Sequence, residues 1–206
     1  MSIIILHTET SQIQKIHQQL QPANRRGLMA VLGIAAEQAL QKHFIRRDAE
    51  NPNKHGWPRQ HFWARLAKRT AYDPSKTTEN RAAVVVSDPA LAAKVNGATI
   101  RATGAVSPAT GKPTKNISIP LTASAYGNWP RANTFPGMFF IPAKNGIGGF
   151  LVTRGEKGGP LNFLYRLKPE VRVPADPEAL PTDTEIEAAL VPQAEAYFTR
   201  KEGAAP

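Results

Sequence analysis

Apolar side chains in the first third of the chain recur at helical spacing. Further on they gather in short blocks between glycines and prolines. That change of period predicts helices first and strands afterwards. The opening run "SIIILH" (2–7) is an exception, β-branched and strand-like. In "TETSQIQKIHQQLQ", Thr10 or Ser11 can cap a short helix with Ile13, Ile16 and Leu20 on one face. Pro22 ends that segment, and Asn24 can cap the longest helix, about 25–46. Leu28, Leu32, Ala35, Ala39 and Lys42 or His43 keep its period, and Val31 and Phe44 widen the stripe. Gly27 and Gly33 are small enough to let another backbone come close. Arg46 and Arg47 sit at its C-terminal end, where cations suit the helix dipole. "DAENPNKHGWP" is turn chemistry, and Gln60 to Thr70 reads as a third helix carrying Phe62, Leu66 and Arg69.

The later blocks read as strands: "RAAVVVSD" (81–88), "ISIPLT" (117–122), "GMFFIPAK" (137–144), "GGFLVTRG" (148–155) and "LNFLYRLK" (161–168). The last three are spaced as consecutive hairpins. "PALAAKVNGATI" is a short helical or extended piece that stops at Asn96-Gly97. Residues 101–116 form a long polar loop with basic ends, and Val106 is its only core-quality residue. Loops of that length are generally functional or unstructured until bound. "TDTEIEAALVPQAEAYFTRKEG" predicts an acidic helix capped by Thr182 or Thr184, with Pro192 placed to kink it. The order predicts an α+β fold: N-terminal helices packed on a small, mostly antiparallel β-sheet, with a long partner-binding loop and an acidic C-terminal helix. The expected division is one domain over 1–174 and an acidic, Pro-rich segment over 175–206.

Charge sharpens that division. Lys and Arg total 26 against 16 acids, a net charge of +10. Residues 175–206 hold only 2 of those cations but 7 of the acids. A basic body therefore ends in an acidic segment. The body can face an anion such as DNA. Alternatively, one subunit's acidic segment can lie on a neighbour's basic surface. A solvated basic surface with no partner is the bland third option.

There is no cysteine, which excludes disulfides, thiolate metal sites and a thiol nucleophile. The start "MSIIILHTET" has four consecutive apolar residues and no basic lead, unlike a signal peptide. No apolar run approaches the roughly 18 residues of a membrane span.

Chemistry-bearing motifs are sparse. His43, His55 and His61 lie near Asp48 and Glu50 but match no HExxH or other zinc spacing, so no metal or cofactor is expected. Gly111-Lys112 has part of a phosphate loop. Its frame is missing, because Val106 stands where the first glycine belongs and Pro113 where Ser or Thr would bind magnesium. The acids of the body are scattered and no GxSxG, SxxK or paired-carboxylate motif occurs, so an enzyme is not expected. Arg25, Arg26, Arg46, Arg47, Lys54 and Arg59 crowd the long helix and its exit, a candidate DNA-facing or partner-facing group. No helix-turn-helix or single-strand-binding motif accompanies them.

"HGWPRQHFW" (55–63) concentrates two of the three tryptophans. It reads best as a structural corner, a Gly-Pro turn packing Trp57, Phe62 and Trp63 against the long helix. Around Pro58, Arg59 and His61 would hold its backbone.

The stretch "LQKHFIRRDAENPNKHGWPRQHFWARLAK" (40–68) resembles a signature of the phage virion morphogenesis family of Mu-like phages. The resemblance rests on Asn53, Lys54, Gly56, Pro58, Arg59, His61, Phe62 and Trp63. "VNGATIRA" (95–102), "ISIPLTASAYG" (117–127), "FFIPAKNGIGGFLV" and "LNFLYRL" are similar to later segments of that family and follow in the same order. Asn96 departs from the pattern, where a second glycine is common. The resemblance implies a structural role in tail completion or head–tail joining, as a homo-oligomeric, commonly sixfold ring in the virion. Its neighbours would be a head connector or adaptor and a tail tube or tail terminator protein, with genomic DNA a further contact in the lumen and no membrane. Loop 101–116, with Arg101, Lys112 and Lys115, would then be a candidate interface. The alternatives are a head-assembly factor that is not retained, and a sequence-independent DNA-binding protein.

Overall fold

A computed structural model of the chain describes residues 3–4, 22–50, 55–104, 113, 115–130, 133–144, 146–155 and 159–202. The predicted short helix bearing Ile13, Ile16 and Leu20 lies outside these residues, as do Lys54, Lys112 and most of loop 101–116. The chain is α+β. In order, the elements are β1 (Ile3–Ile4), α1 (Pro22–Glu50), α2 (Phe62–Lys68), β2 (Thr70–Tyr72), a 3-10 turn (Pro74–Lys76), β3 (Val84–Val86), α3 (Pro89–Asn96), β4 (Ala98–Arg101), β5 (Ile117–Pro120), β6 (Phe139–Pro142), β7 (Gly149–Arg154), β8 (Leu161–Lys168), β9 (Glu170–Val173) and α4 (Asp183–Glu202). Among the described residues no helix is long and apolar enough to cross a membrane.

Among the described residues the strands form three antiparallel sheets rather than the single sheet expected, ordered β1-β3-β2, β4-β9 and β5-β8-β7-β6. The chain divides into two compact units, and their boundaries differ from 1–174 and 175–206. The first unit takes the described parts of 1–52, 61–96 and 175–206, and the second takes those of 53–60 and 97–174. The acidic C-terminal segment thus belongs to the first unit instead of standing apart.

In the first unit α1 is the hub. It starts at Pro22, three residues earlier than expected, because proline's fixed φ and missing N–H suit a helix's first turn. Leu28, Leu32, Leu40 and Phe44 are buried with Trp63 and Leu66 of α2, Val84 and Val86 of β3, Leu91 of α3, and Ile186, Leu190 and Ala194 of α4. The sequence left Lys42 or His43 as the inward residue; His43 is buried and Lys42 is exposed. Both helix glycines serve close approach, but to tyrosine rings rather than to another backbone. A Cβ at Gly33 would lie 2.4 Å from the Tyr72 ring, and one at Gly27 would lie 2.7 Å from the Tyr197 hydroxyl. Helix α1 also holds β2 by polar contacts. Glu37 accepts the Tyr72 N–H (3.1 Å), and Gln41 donates to the Thr70 carbonyl (3.1 Å).

Thr182 caps α4 in a reciprocal capping box. Glu185 accepts the Thr182 N–H at 2.9 Å, and Thr182 Oγ1 accepts the Glu185 N–H at 3.3 Å. Pro192 is accommodated inside α4. It is exposed, as is Ala188 one turn earlier, so the carbonyl it leaves unpaired is on the solvent side.

The second unit is built on β5-β8-β7-β6, and the expected consecutive hairpins are present as β6, β7 and β8. Its small core is Ala125, Leu164 and Tyr165, with Phe135, Met138 and Leu151 packed on it. Tyr165 pairs with Leu151 and Phe163 with Val152, so Leu164 is an extra residue in a bulge. The bulge turns two successive side chains, Leu164 and Tyr165, inward. The Tyr165 hydroxyl lies 2.8 Å from the Asn128 carbonyl and 3.1 Å from that of Ala125, and shares its one proton between them. Burial pushes its pKa up. This bond ties the 122–128 turn to β8.

Candidate functional site

The run 55–63 does not form the single corner expected of it. The chain passes from one unit to the other at Gln60-His61. His55 through Gln60 belong to the second unit, where Trp57 stacks on His55 (4.7 Å between centroids) and meets Tyr126 (5.3 Å). Pro58 and Arg59 are exposed there. Gln60 crosses Gly127, whose φ of 80° and lack of Cβ leave room for the amide. His61, Phe62 and Trp63 belong to the first unit. Trp63 stacks on Phe44 of α1 (6.0 Å, 21° between planes), and Phe62 meets Trp63 edge-on at 5.0 Å. The packing expected for Trp63 against the long helix is present and Phe62 joins the same core through Trp63, whereas the ring partners of Trp57 are His55 and Tyr126. Sequence proximity could not separate them, because the chain passes from one unit to the other between them, at Gln60-His61.

His61 has φ 48°, and no other non-glycine among the described residues has positive φ. Such a backbone persists only where its surroundings hold it. Asp48 does so: one carboxylate oxygen accepts from His61 Nδ1 at 2.8 Å, and the other accepts the Ala64 N–H at 3.2 Å. The second bond caps α2, whose own first residues supply no side-chain cap.

The basic end of α1 is occupied within the chain. Arg47 is buried beneath the acidic segment, donates to Asp176 (2.6 Å) and to Glu178, and lies 4.9 Å above the Trp63 ring. Arg46 pairs with Glu185 and donates to His43 Nδ1 at 3.2 Å. With Nδ1 accepting, His43 must carry its proton on Nε2, which donates to the Glu178 carbonyl at 3.1 Å. Burial lowers the His43 pKa and keeps the ring neutral in that role. The Arg46 bond to Glu185, reinforced by the Thr182 N–H, pulls that carboxyl down to about 2.

Arg46 and Arg47 were candidates for DNA or a partner; they instead hold the C-terminal segment of their own chain. Three acids of the C-terminal segment, Asp176, Glu178 and Glu185, thus meet basic residues of their own subunit. The charge split was the only sequence signal for it, and charge alone names no partner. Arg25 is half-buried and Arg26 exposed on the first turns of α1. Arg101 pairs with Glu170 across β4-β9 (3.2 Å), and Lys115 is exposed.

Sequence reasoning missed Asp88. It is buried, accepts from Arg65 (3.2 Å) and Arg69 (3.0 Å), and caps α3 through the Ala90 N–H at 3.0 Å. Asp88 immediately precedes Pro89, the first residue of α3, and that was a legible cap signal. At Asn96-Gly97 the positive φ falls on the glycine. Among the described residues no three His, Asp or Glu side chains come together as a metal site.

Charge is concentrated in one unit. Residues 53–60 and 97–174 hold 12 of the 26 cations and 2 of the 16 acids, while the rest of the chain holds 14 of each. The whole net +10 resides in the second unit. No protein-family model, curated protein or solved structure matches this chain.

Proposed function

We propose that this chain is a structural, non-enzymatic virion protein of a tailed phage, assembling as a homo-oligomeric ring at the head–tail junction. Six subunits is the expected count. The observation that carries the reading is the run from Asn53 to Trp63, with its similarity to the virion morphogenesis signature. The consistent order of the later segments supports it. Two compact units of unlike charge add a physical argument: a head-to-tail ring joins different surfaces of adjacent subunits, and a chain with one neutral and one strongly basic unit provides them. The ring would lie between a head connector or adaptor and the tail tube or tail terminator, after synthesis in the host cytoplasm.

The test is mass spectrometry of purified particles, followed by a particle reconstruction locating the chain and its symmetry. A ring at the neck is the expected result. A monomer absent from mature particles would overturn the reading. An oligomer present during assembly and missing from mature particles would point to a non-retained assembly factor.

A further inference from the structure

The two faces of β5-β8-β7-β6 are chemically unlike. Cross-strand partners point to the same side of a sheet and alternate residues to opposite sides. One face therefore carries Leu151 and Tyr165 and covers the small core. The other carries the rows Ile117–Lys168, Ile119–Arg166–Phe150–Ile141, Phe139–Val152–Phe163 and Arg154–Leu161. Phe139, Leu161 and Phe163 remain 37%, 39% and 41% exposed on it. Phe150 meets Phe163 edge-on at 5.3 Å. The four strands contain three cations and no carboxylate. All three, Arg154, Arg166 and Lys168, fall on this same face by register.

We propose that this face binds single-stranded nucleic acid, its phenylalanine rings stacking on bases and Arg154, Arg166 and Lys168 taking phosphates. Half-exposed rings beside cations on one sheet face match a ligand that offers planar apolar faces and a regularly spaced anion together. Charge complementarity favours a polyanion over a protein surface. The unit bearing this face has 12 cations against 2 acids, and one of those acids, Glu170, already pairs with Arg101. A duplex offers phosphates but keeps its bases stacked on one another, so it would leave the rings unused. This inference does not depend on the head–tail reading.

The experiment is fluorescence anisotropy of the full-length protein with labelled oligo(dT) of about 16 nucleotides and with a duplex of equal length. Wild type is expected to bind oligo(dT) more tightly than the duplex. If three phosphates are contacted, affinity for the single strand falls about 20-fold between roughly 50 and 200 mM salt. Phe139→Leu/Phe163→Leu keeps apolar bulk but removes two rings. It should weaken single-strand binding about fivefold or more and leave duplex binding unchanged. The exposed Arg166→Gln should reduce the salt slope by about 0.7, with its melting temperature as the folding control. Equal binding of single strand and duplex, no loss on ring removal, or no binding by wild type would each overturn the proposal. Self-association abolished by the same leucine variant, without oligonucleotide binding, would make the face a protein interface and overturn it as well.

Discussion

Arg47 Nη2 lies 2.6 Å from Asp176 Oδ2 while the same guanidinium covers the ring of Trp63. One side chain thus joins the end of α1, the start of α2 and the segment leading into α4. A buried cation with two carboxylates and a ring cannot be lost without stranding its partners. Arg47→Met keeps the stem and should destabilise the first unit by about 2 kcal/mol, because Asp176 and Glu178 can partly recover water. Denaturant unfolding of Arg47→Met, Asp176→Asn and the double variant checks this. Strict additivity would show that the pair is not coupled.

Trp63 is buried against Phe44 and Phe62 and beneath Arg47. Trp63→Ala should cost about 3–5 kcal/mol, since the cavity cannot close between two helices. Trp57→Ala should cost the first unit nothing, because its ring partners are His55 and Tyr126 in the second. Thermal unfolding of both variants separates the two roles of one nine-residue run. An unchanged melting temperature for Trp63→Ala would refute the packing assignment.

Replacing a mid-helix glycine with alanine ordinarily stabilises by up to about 1 kcal/mol. Gly33→Ala should have the opposite sign. Its methyl would meet the Tyr72 ring at 2.4 Å, with Ala82 Cβ behind at 3.2 Å, and overpacking costs about 1–3 kcal/mol. Pairing Gly33→Ala with Tyr72→Leu should recover part of the loss, which a melting series on the single and double variants would read.

Acid should loosen the first unit in two stages. His43 has a folded pKa below its ordinary 6.5, so the unfolded chain takes the proton more readily. Its contribution is complete above that value and fades as pH falls below it. The Glu185 carboxyl, at about 2 against an ordinary 4.5, contributes fully above 4.5 and is lost as pH falls towards 2. The Asp73 carboxyl, held at about 2 by the Ser75 hydroxyl and Lys76, acts in that same lower window. Melting temperature measured against pH should decline through both windows. His43→Gln should flatten the upper stage and spare the lower. An upper stage unchanged in His43→Gln would remove His43 as its source.

The sequence by itself determined the long helix with its inward Leu28, Leu32 and Phe44, the three hairpin strands, and an acidic C-terminal helix whose cap it left to Thr182 or Thr184. Each is a local signal: a periodicity, a block between turn residues, or a hydroxyl three positions before a glutamate. Only the tertiary structure decided what those elements meet. Nothing local says that Trp57 and Trp63 part company at Gln60-His61, that the strands divide into three sheets, or that Arg46 and Arg47 face their own acidic segment about 130 residues away. Strand β9 was missed because "EVRV" is short and lies among prolines; its pairing with β4 supplies the stability its sequence lacks. The aromatic and basic face of the large sheet was hidden for a related reason. Its residues come from four separated strands, and only the register, shifted by the bulge at Leu164, puts them on one side.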